Sequence, residues 1–337
     1  MNMKQIAELA GVSVATVSKV IHHYSDISPE TRVKVLEVMK QTGYIPAHTA
    51  KTLAAQKAKV IGVIFAGKRN VDFAHPFFAE VLNAFQKQMG LLGYDLLFLN
   101  HEMPGWSDGD YLARCRQYPV DGCLIVTGQE VEPTIRALDQ SEIPCIGVDI
   151  PLSGRSSGYV MSDNYKMSFK AVEHFYLLGY RDLGYIGSEQ ESEISNLRER
   201  GYRDALDSFG LQVTEDWFVN GENFFEASGY SAMCRMLQAG QVPRAIFAAS
   251  DLLAIGAMRA LREHRLSVPE DFALIGCDDI EACKYITPSL TTIRQNKEKL
   301  GRLAASLLYD LIHNQSVTSS VVVEPELAVR ESCGSAQ

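Results

Sequence analysis

Two periodicities divide this chain. Up to residue 43 the apolar positions recur at helical spacing in three short runs, each bounded by residues that start or stop helices. Asn2 and Gln5 stand at capping-box spacing, Ile6, Leu9 and Ala10 give the first helix an apolar face, and Gly11 supplies the left-handed backbone of a tight turn. Ser13 caps a second helix whose Val17, Val20 and Ile21 turn towards a small core, leaving Val14, Ala15, Ser18 and Lys19 outward. A third helix opens at Ser28-Pro29-Glu30 and runs to Gly43 through Val33, Val35, Leu36 and Met39, completing a three-helix core.

From residue 59 the pattern changes to short continuous apolar runs, most of them separated by helix-length segments. KVIGVIF (59–65), YDLLFLN (94–100), GCLIVTG (122–128), PCIGVDI (144–150), GYVMSD (158–163), DLGYIG (182–187), RAIFAAS (244–250) and FALIGCD (272–278) are the clearest. Runs of this kind between helices are strands of buried parallel sheets. About 280 residues exceed what one open sheet needs, so the expectation is two doubly wound parallel-sheet lobes with a cleft between them. Ligands of such folds bind beyond the carboxyl ends of the strands.

At those ends stand His75 to Phe78, Asp149, Asp163-Asn164, Arg198, Ser250-Asp251 and Asp278-Asp279. Aromatic walls with carboxylate and guanidinium edges suit a polyol or other polar ring, because apolar faces stack while hydroxyls take charge-assisted bonds. Phe77 and Phe78 also fit as core residues, and Asp163 and Asp251 as helix caps.

Two helices joined by a glycine turn form the helix-turn-helix pattern, whose second helix lies in the major groove of DNA. Charge supports that reading. Residues 1–59 hold eight Lys/Arg and four Asp/Glu, net +4, whereas the other 278 hold 24 and 37, net −13. A basic head on an acidic body is what phosphate contact at one end requires, and Lys4, Arg32, Lys34, Lys51 and Lys57 are available for it.

Enzyme and receptor readings fare worse. A dinucleotide fold would show GxGxxG after its first strand, which IGVIFAGKRN lacks, and GRSSG (154–158) lies between two strand-like runs and not in the strand-to-helix turn of a GxSxG nucleophile elbow. A periplasmic-type solute receptor, the alternative reading, would share the two-lobed body but carry a signal peptide in place of the basic head. The seven cysteines, Cys115, Cys123, Cys145, Cys234, Cys277, Cys283 and Cys333, include no CxxC pair and read as free thiols of a reducing compartment, with no metal and no cofactor expected. No secretory segment and no membrane-length apolar run occurs, so the expected location is the cytoplasm.

The strings AGVSVATVSKVI and YIPAHTAKTLAAQKAKVIGVI resemble, in order and spacing, the head and hinge of the lactose/galactose repressor (LacI/GalR) family, and the similarity extends over essentially the whole chain. SEISNLRERGYRDAL, GENFFEASGY, AIFAASDLLAIGAMRAL and ALIGCDDIEACKYITPSLTTIRQ resemble that family's sensor segments. The resemblance implies a helix-turn-helix domain at 1–46, a hinge helix at 47–58 and an effector-binding and dimerisation body at 59–337. It divides the body into lobe 1 at about 59–160 plus 294–320 and lobe 2 at about 161–293 plus 321–337.

The resemblance further implies a DNA-binding set of Ser13, Val14, Ala15, Thr16, Ser18, Lys19 and His22 in the head and Lys51, Leu53 and Ala54 in the hinge, with Leu53 wedged into a minor-groove step. Lys19 stands where arginine is usual in the family, and an ammonium is a point donor without the guanidinium's planar fork. The implied effector set is Phe77, Asp149, Arg198, Phe224, Ser250 and Asp278, with Asn70 and Ser192 as weaker matches. The implied partners are pseudo-palindromic double-stranded operator DNA, a carbohydrate-like small molecule and a second copy of the chain. A dimer is expected because no leucine-heptad tail follows SVVVEPELAV, with a large share of the contact made by the helix Phe78 to Leu92 and its neighbours, through residues at the edge of its apolar stripe.

Overall fold

The computed structural model describes residues 1–21, 24–44, 58–66, 73–105, 107, 109–126, 132–189, 192–315 and 320–334. His22, Lys51, Leu53, Ala54 and Asn70, and all of the expected hinge except Ala58, lie outside the described residues.

The head folds from α1 (Met3–Ala10), α2 (Val14–Ile21) and α3 (Pro29–Thr42). Asn2 and Gln5 form the reciprocal capping box, and Gly11 closes α1 at φ 63°, where any side chain would strain the backbone. The buried face of α1 is Ile6, Ala7 and Ala10; Leu9 is exposed, which corrects the expected face. In α3 only Val35 is fully buried, whereas Val33 and Leu36 face outward. A core of Ile6, Ala10, Val17, Val20, Ile21 and Val35 fills the space that three short helices enclose.

The body contains two six-stranded sheets. The first, in the order β11-β5-β4-β3-β1-β2, uses β1 (Val60–Phe65), β2 (Asp95–Leu99), β3 (Gly122–Val126), β4 (Cys145–Val148), β5 (Ser157–Ser162) and β11 (Ser320–Val323), all parallel. The second, β12-β10-β9-β8-β6-β7, uses β6 (Leu183–Ser188), β7 (Phe218–Gly221), β8 (Ala245–Ala248), β9 (Ala273–Asp278), β10 (Thr291–Arg294) and β12 (Glu326–Ala328), parallel except for the β10–β12 pair. The two orders repeat one another, and each sheet reverses direction of winding at its first strand, β1 or β6, so the carboxyl ends of β1 with β3 and of β6 with β8 are the natural ligand edges.

The chain passes between the sheets three times: after Ser162, between Arg294 and Lys297, and after Val323. The last passage differs from the expected break at about 320, because all of SVVV pairs with β5 in the first sheet before EPEL turns back to β10. Helices α4 (Pro76–Leu91), α5 (Tyr111–Gln117), α6 (Pro133–Asp139) and α11 (Lys297–Ile312) cover the first sheet. Helices α7 (Asn164–Leu177), α8 (Glu193–Ser208), α9 (Glu226–Gln238) and α10 (Asp251–Glu263) cover the second. α4 and α11 approach closely because position 301 is glycine: a Cβ there would lie 2.3 Å from the Val81 carbonyl. The apolar stripe of α4, Phe78, Val81, Leu82, Phe85 and Met89, is buried in this layer, as core of the first lobe. Burying each such side chain contributes roughly 1.5–3 kcal/mol.

Candidate functional site

The outward face of α2 is a row of small residues. Ser13 Oγ accepts from the Thr16 amide at 3.0 Å and lies 2.9 Å from Thr16 Oγ1, so both hydroxyls serve first to start the helix. Val14 and Ala15 follow, exposed, then Ser18 and Lys19, half-buried at the helix flank. The Lys19 ammonium pairs with Asp26 in the connection to α3.

The second constellation lies where the carboxyl ends of the two sheets meet. Asp149 follows β4 at φ 58°, and Asp278 ends β9 at φ 121°; both are backbone conformations that a non-glycine residue adopts at a cost. Each sharp reversal carries its carboxylate out beyond its strand. Arg198, on α8, is only 4% exposed; its Nε donates to Asn164 Oδ1 at 2.8 Å, its Nη1 to the Ala249 carbonyl at 2.5 Å, and its guanidinium lies 5.8 Å from the Phe224 ring centre. Asp278 Oδ1 accepts from Gln295 Nε2 at 2.6 Å, so its hydrogen bond comes from a neutral amide and not from Arg198.

Asp149 has no such partner. It is 5% exposed, and its Oδ1 is buried without a hydrogen bond, as are Gln295 Oε1 and Ser162 Oγ. Burial pushes the Asp149 carboxyl up to about 7, against the opposing pull of Arg198 and with a further push from Asp278. Asp251, fully buried, is raised by the same cause, although Thr292 Oγ1 and the Ile280 amide donate to it at 2.5 and 2.8 Å.

Several expected residues have structural work. Phe77 packs edge-on against Phe78 inside the core of the first lobe. Ser250 Oγ caps α10 by accepting from Leu253 N and donates to the Phe224 carbonyl at 2.8 Å, so it positions Phe224 and its own hydrogen is spent there. Ser192 likewise caps α8, Asp163 caps α7, and Asp279 is held by Arg294 and Arg330 at 2.6 and 2.5 Å. Phe224, Asp149, Arg198 and Asp278 stand together.

Gln295, Phe225 and Lys297 join the site without a sequence expectation. Gln295, in the crossing segment before α11, is aligned by its bond to Asp278. His75, at the start of α4, and Phe225, at the start of α9, meet edge to face at 5.4 Å and so bridge the lobes. Lys297 ties the same region together, its Nζ donating to the Asp278 and Asp279 carbonyls at 2.9 and 2.6 Å and lying 3.6 Å from Glu80 on α4. What the arrangement offers a ligand is clear in kind: an aromatic face, one guanidinium and an excess of acceptors wanting donors.

Other features add little chemistry. All seven cysteines are free, among the described residues no His/Cys/Asp/Glu group could hold a metal ion, and no described helix is long and apolar enough to cross a membrane. On the first lobe, Phe65, Phe73 and Phe98 form an aromatic cluster with ring centres 5.1–6.4 Å apart. Phe73 is 57% exposed and lines a groove with Leu82, Asn83, Tyr94 and Leu96.

Comparison with known proteins identifies the family. The family model for bacterial regulatory proteins of the lacI family matches residues 2–47, and the model for a periplasmic binding protein-like domain matches residues 172–333. The HTH-type transcriptional repressor PurR of Proteus mirabilis is 32% identical over 333 residues, covering 98% of this chain and 96% of that protein. Among solved structures, the lac repressor dimer bound to operator and the anti-inducer ONPF superposes with a TM-score of 0.86 at 26% identity, covering 99% of both chains. A transcriptional regulator CelR–cellobiose complex gives 0.74 at 29% identity, covering 98% of this chain and 99% of that one.

Proposed function

Because the chain belongs to the lacI family of bacterial regulatory proteins, we propose that it is a homodimeric repressor of a pseudo-palindromic operator, controlled by a carbohydrate-like effector bound between its lobes. In this reading Val14, Ala15, Ser18 and Lys19 on α2 face base edges, while Asp149, Arg198, Phe224 and Asp278 hold the effector. The observation that carries the sensing half is the buried, unpartnered Asp149 Oδ1 opposite Arg198, since a buried acceptor without a donor is an energetic deficit that a ligand hydroxyl removes. The operator and cellobiose seen with the two structural relatives fit the same division of labour between head and cleft. No catalytic step is part of the reading.

The experiment is a selection of duplexes from a randomised pool by the full chain, followed by titration of the selected duplex with and without cellobiose, ribose and a panel of sugars and nucleosides. A symmetric site with steep salt dependence is expected, together with at least one compound that alters its occupancy. Random DNA bound as tightly as any selected duplex would refute the reading.

The second-copy contact falls, in this reading, on the exposed aromatic cluster of the first lobe and not on the buried stripe of α4. Phe73 and Phe98 leave an apolar patch on a lobe whose hinge end must bring two heads to two half-sites. Replacing both with serine removes that area without touching either core. Sedimentation should then give a monomer where the unaltered chain gives a dimer, and half-site binding should replace cooperative binding; an unchanged dimer would move the interface elsewhere.

A further inference from the structure

Lys19 is the one cation between Ser13 and Ile21, and it does not hang free: its Nζ lies 2.5 Å from Asp26 Oδ2, with the two side chains 45% and 54% exposed. The segment that carries Asp26 is fixed from both ends. The Tyr24 amide donates to the Lys19 carbonyl at 3.0 Å, Arg32 on α3 donates to the Tyr24 carbonyl, and Ser28 caps α3 two residues after Asp26. The bond from Lys19 holds the Asp26 carboxyl below its usual range, so it is an anion at neutral pH. An exposed pair of this kind adds little to stability, and its consequence therefore lies in what Lys19 presents to DNA.

We infer that Asp26 is a specificity-determining positioning residue of the DNA face: it anchors the Lys19 ammonium beside the small-residue surface of α2 and bars phosphate from it. The inference rests on the reading that Lys19 faces base edges. An ammonium on a four-carbon stem is compact and has no directional fork, so left alone it binds a backbone phosphate as readily as a guanine edge. With Asp26 attached, the two acceptors are no longer equal. A phosphate that approaches Lys19 must also approach a carboxylate and is repelled, whereas guanine O6 and N7 carry no net charge and can take a second ammonium proton while Asp26 keeps the first. Asp26 thus lowers affinity for every sequence and lowers it least for the correct one, which is discrimination by a repulsive element.

The test compares the full-length chain with Asp26→Asn, Asp26→Glu and Lys19→Ala. The probes are a duplex selected by the unaltered chain from a randomised pool, its single-base-pair variants, and a random duplex. Lys19→Ala should flatten the preference at one symmetric pair of positions. Asp26→Asn should bind random DNA about threefold more tightly, lose about threefold discrimination at those same positions, and steepen the dependence on salt, while Asp26→Glu restores discrimination. If Lys19→Ala flattens a position but Asp26→Asn leaves discrimination and salt dependence as they were, Asp26 is a bystander and the inference falls while the reading of Lys19 stands. If Asp26→Asn changes affinity for all duplexes by the same factor, its role is in the fold of the head, and the inference again falls. If Lys19→Ala flattens no position, the reading of Lys19 and the inference fall together.

Discussion

Replacing Arg198 with methionine is expected to abolish the response of DNA binding to the effector while leaving effector-free binding to a selected duplex within a few-fold of the unaltered chain. Arg198 joins α8 to the Ala249 carbonyl after β8 and to Asn164 at the start of α7, and it is the cation that acts through space on both Asp149 and Asp278. Methionine keeps the apolar stem but leaves the Asn164 and Ala249 acceptors unmatched and the two carboxylates uncompensated. Removing one partner of a buried charged group costs on the order of 3–5 kcal/mol, enough to lower the thermal midpoint of the body by several degrees. The head does not share this network, and the expected split between lost response and retained binding follows from that separation. Arg198→Lys should not rescue, because a point charge cannot reach Asn164 and Ala249 and still face the cleft as a planar fork does. The measurement is binding to the selected duplex with and without whichever compound raises the melting temperature of the unaltered chain. A full response in the methionine variant would show that the effector sits elsewhere.

The parts of this site that were legible in the sequence share a physical mark. Asp149 and Asp278 stand directly after continuous apolar strands, Arg198 stands in a helix that follows one, and a charge in such a place has few structural explanations. Gln295 and Phe225 carry no such mark, since a neutral amide before a helix and a second phenylalanine beside Phe224 read equally well as loop and core. Ser250 is ambiguous for the opposite reason: a serine after a strand is a polar group at the ligand edge, and it is also a favoured residue for starting α10, a role the fold gives it. The eight apolar runs all became strands, but β7 did not announce itself, because FVNG is a short, half-buried edge strand with polar residues in it. In the head, helical spacing located the three helices, while the choice between Ala7 and Leu9 for the core, and the exposure of Val33 and Leu36, depended on the angles at which the helices cross. Spacing along one helix does not contain that angle.

The stability of the chain is expected to fall as pH rises from about 4 to about 7, and Asp149→Asn is expected to remove a large part of the slope. Asp149 has a folded-state pKa of about 7 against an unfolded value near 3.9, so between those values the folded chain holds a proton that the unfolded chain has released. More protons bound in the folded state means that unfolding becomes easier with each step up in pH, by about 1.4 kcal/mol per unit and roughly 4 kcal/mol across the whole interval. Asp251, raised by burial and by Asp278, acts in the same direction. Asp279, whose burial is outweighed by the bonds from Arg294 and Arg330, has a lowered pKa and acts in the opposite direction, but only as pH falls towards the carboxylate range. His174, lowered by burial, opposes the trend between its folded value and its ordinary one, which is why the comparison must be made between the unaltered chain and the asparagine variant and not read from one curve alone. An effector that donates a hydroxyl to the ionised Asp149 should release its proton, so effector affinity below about pH 7 should rise by up to about tenfold per unit as the solution becomes more alkaline. Chemical denaturation of both proteins across this range measures the first effect, and calorimetry in buffers of different ionisation heat counts the released proton. Parallel stability curves for the two proteins would mean that Asp149 is ionised in the folded chain already, and effector binding would then release no proton from it and show no such rise in affinity with pH.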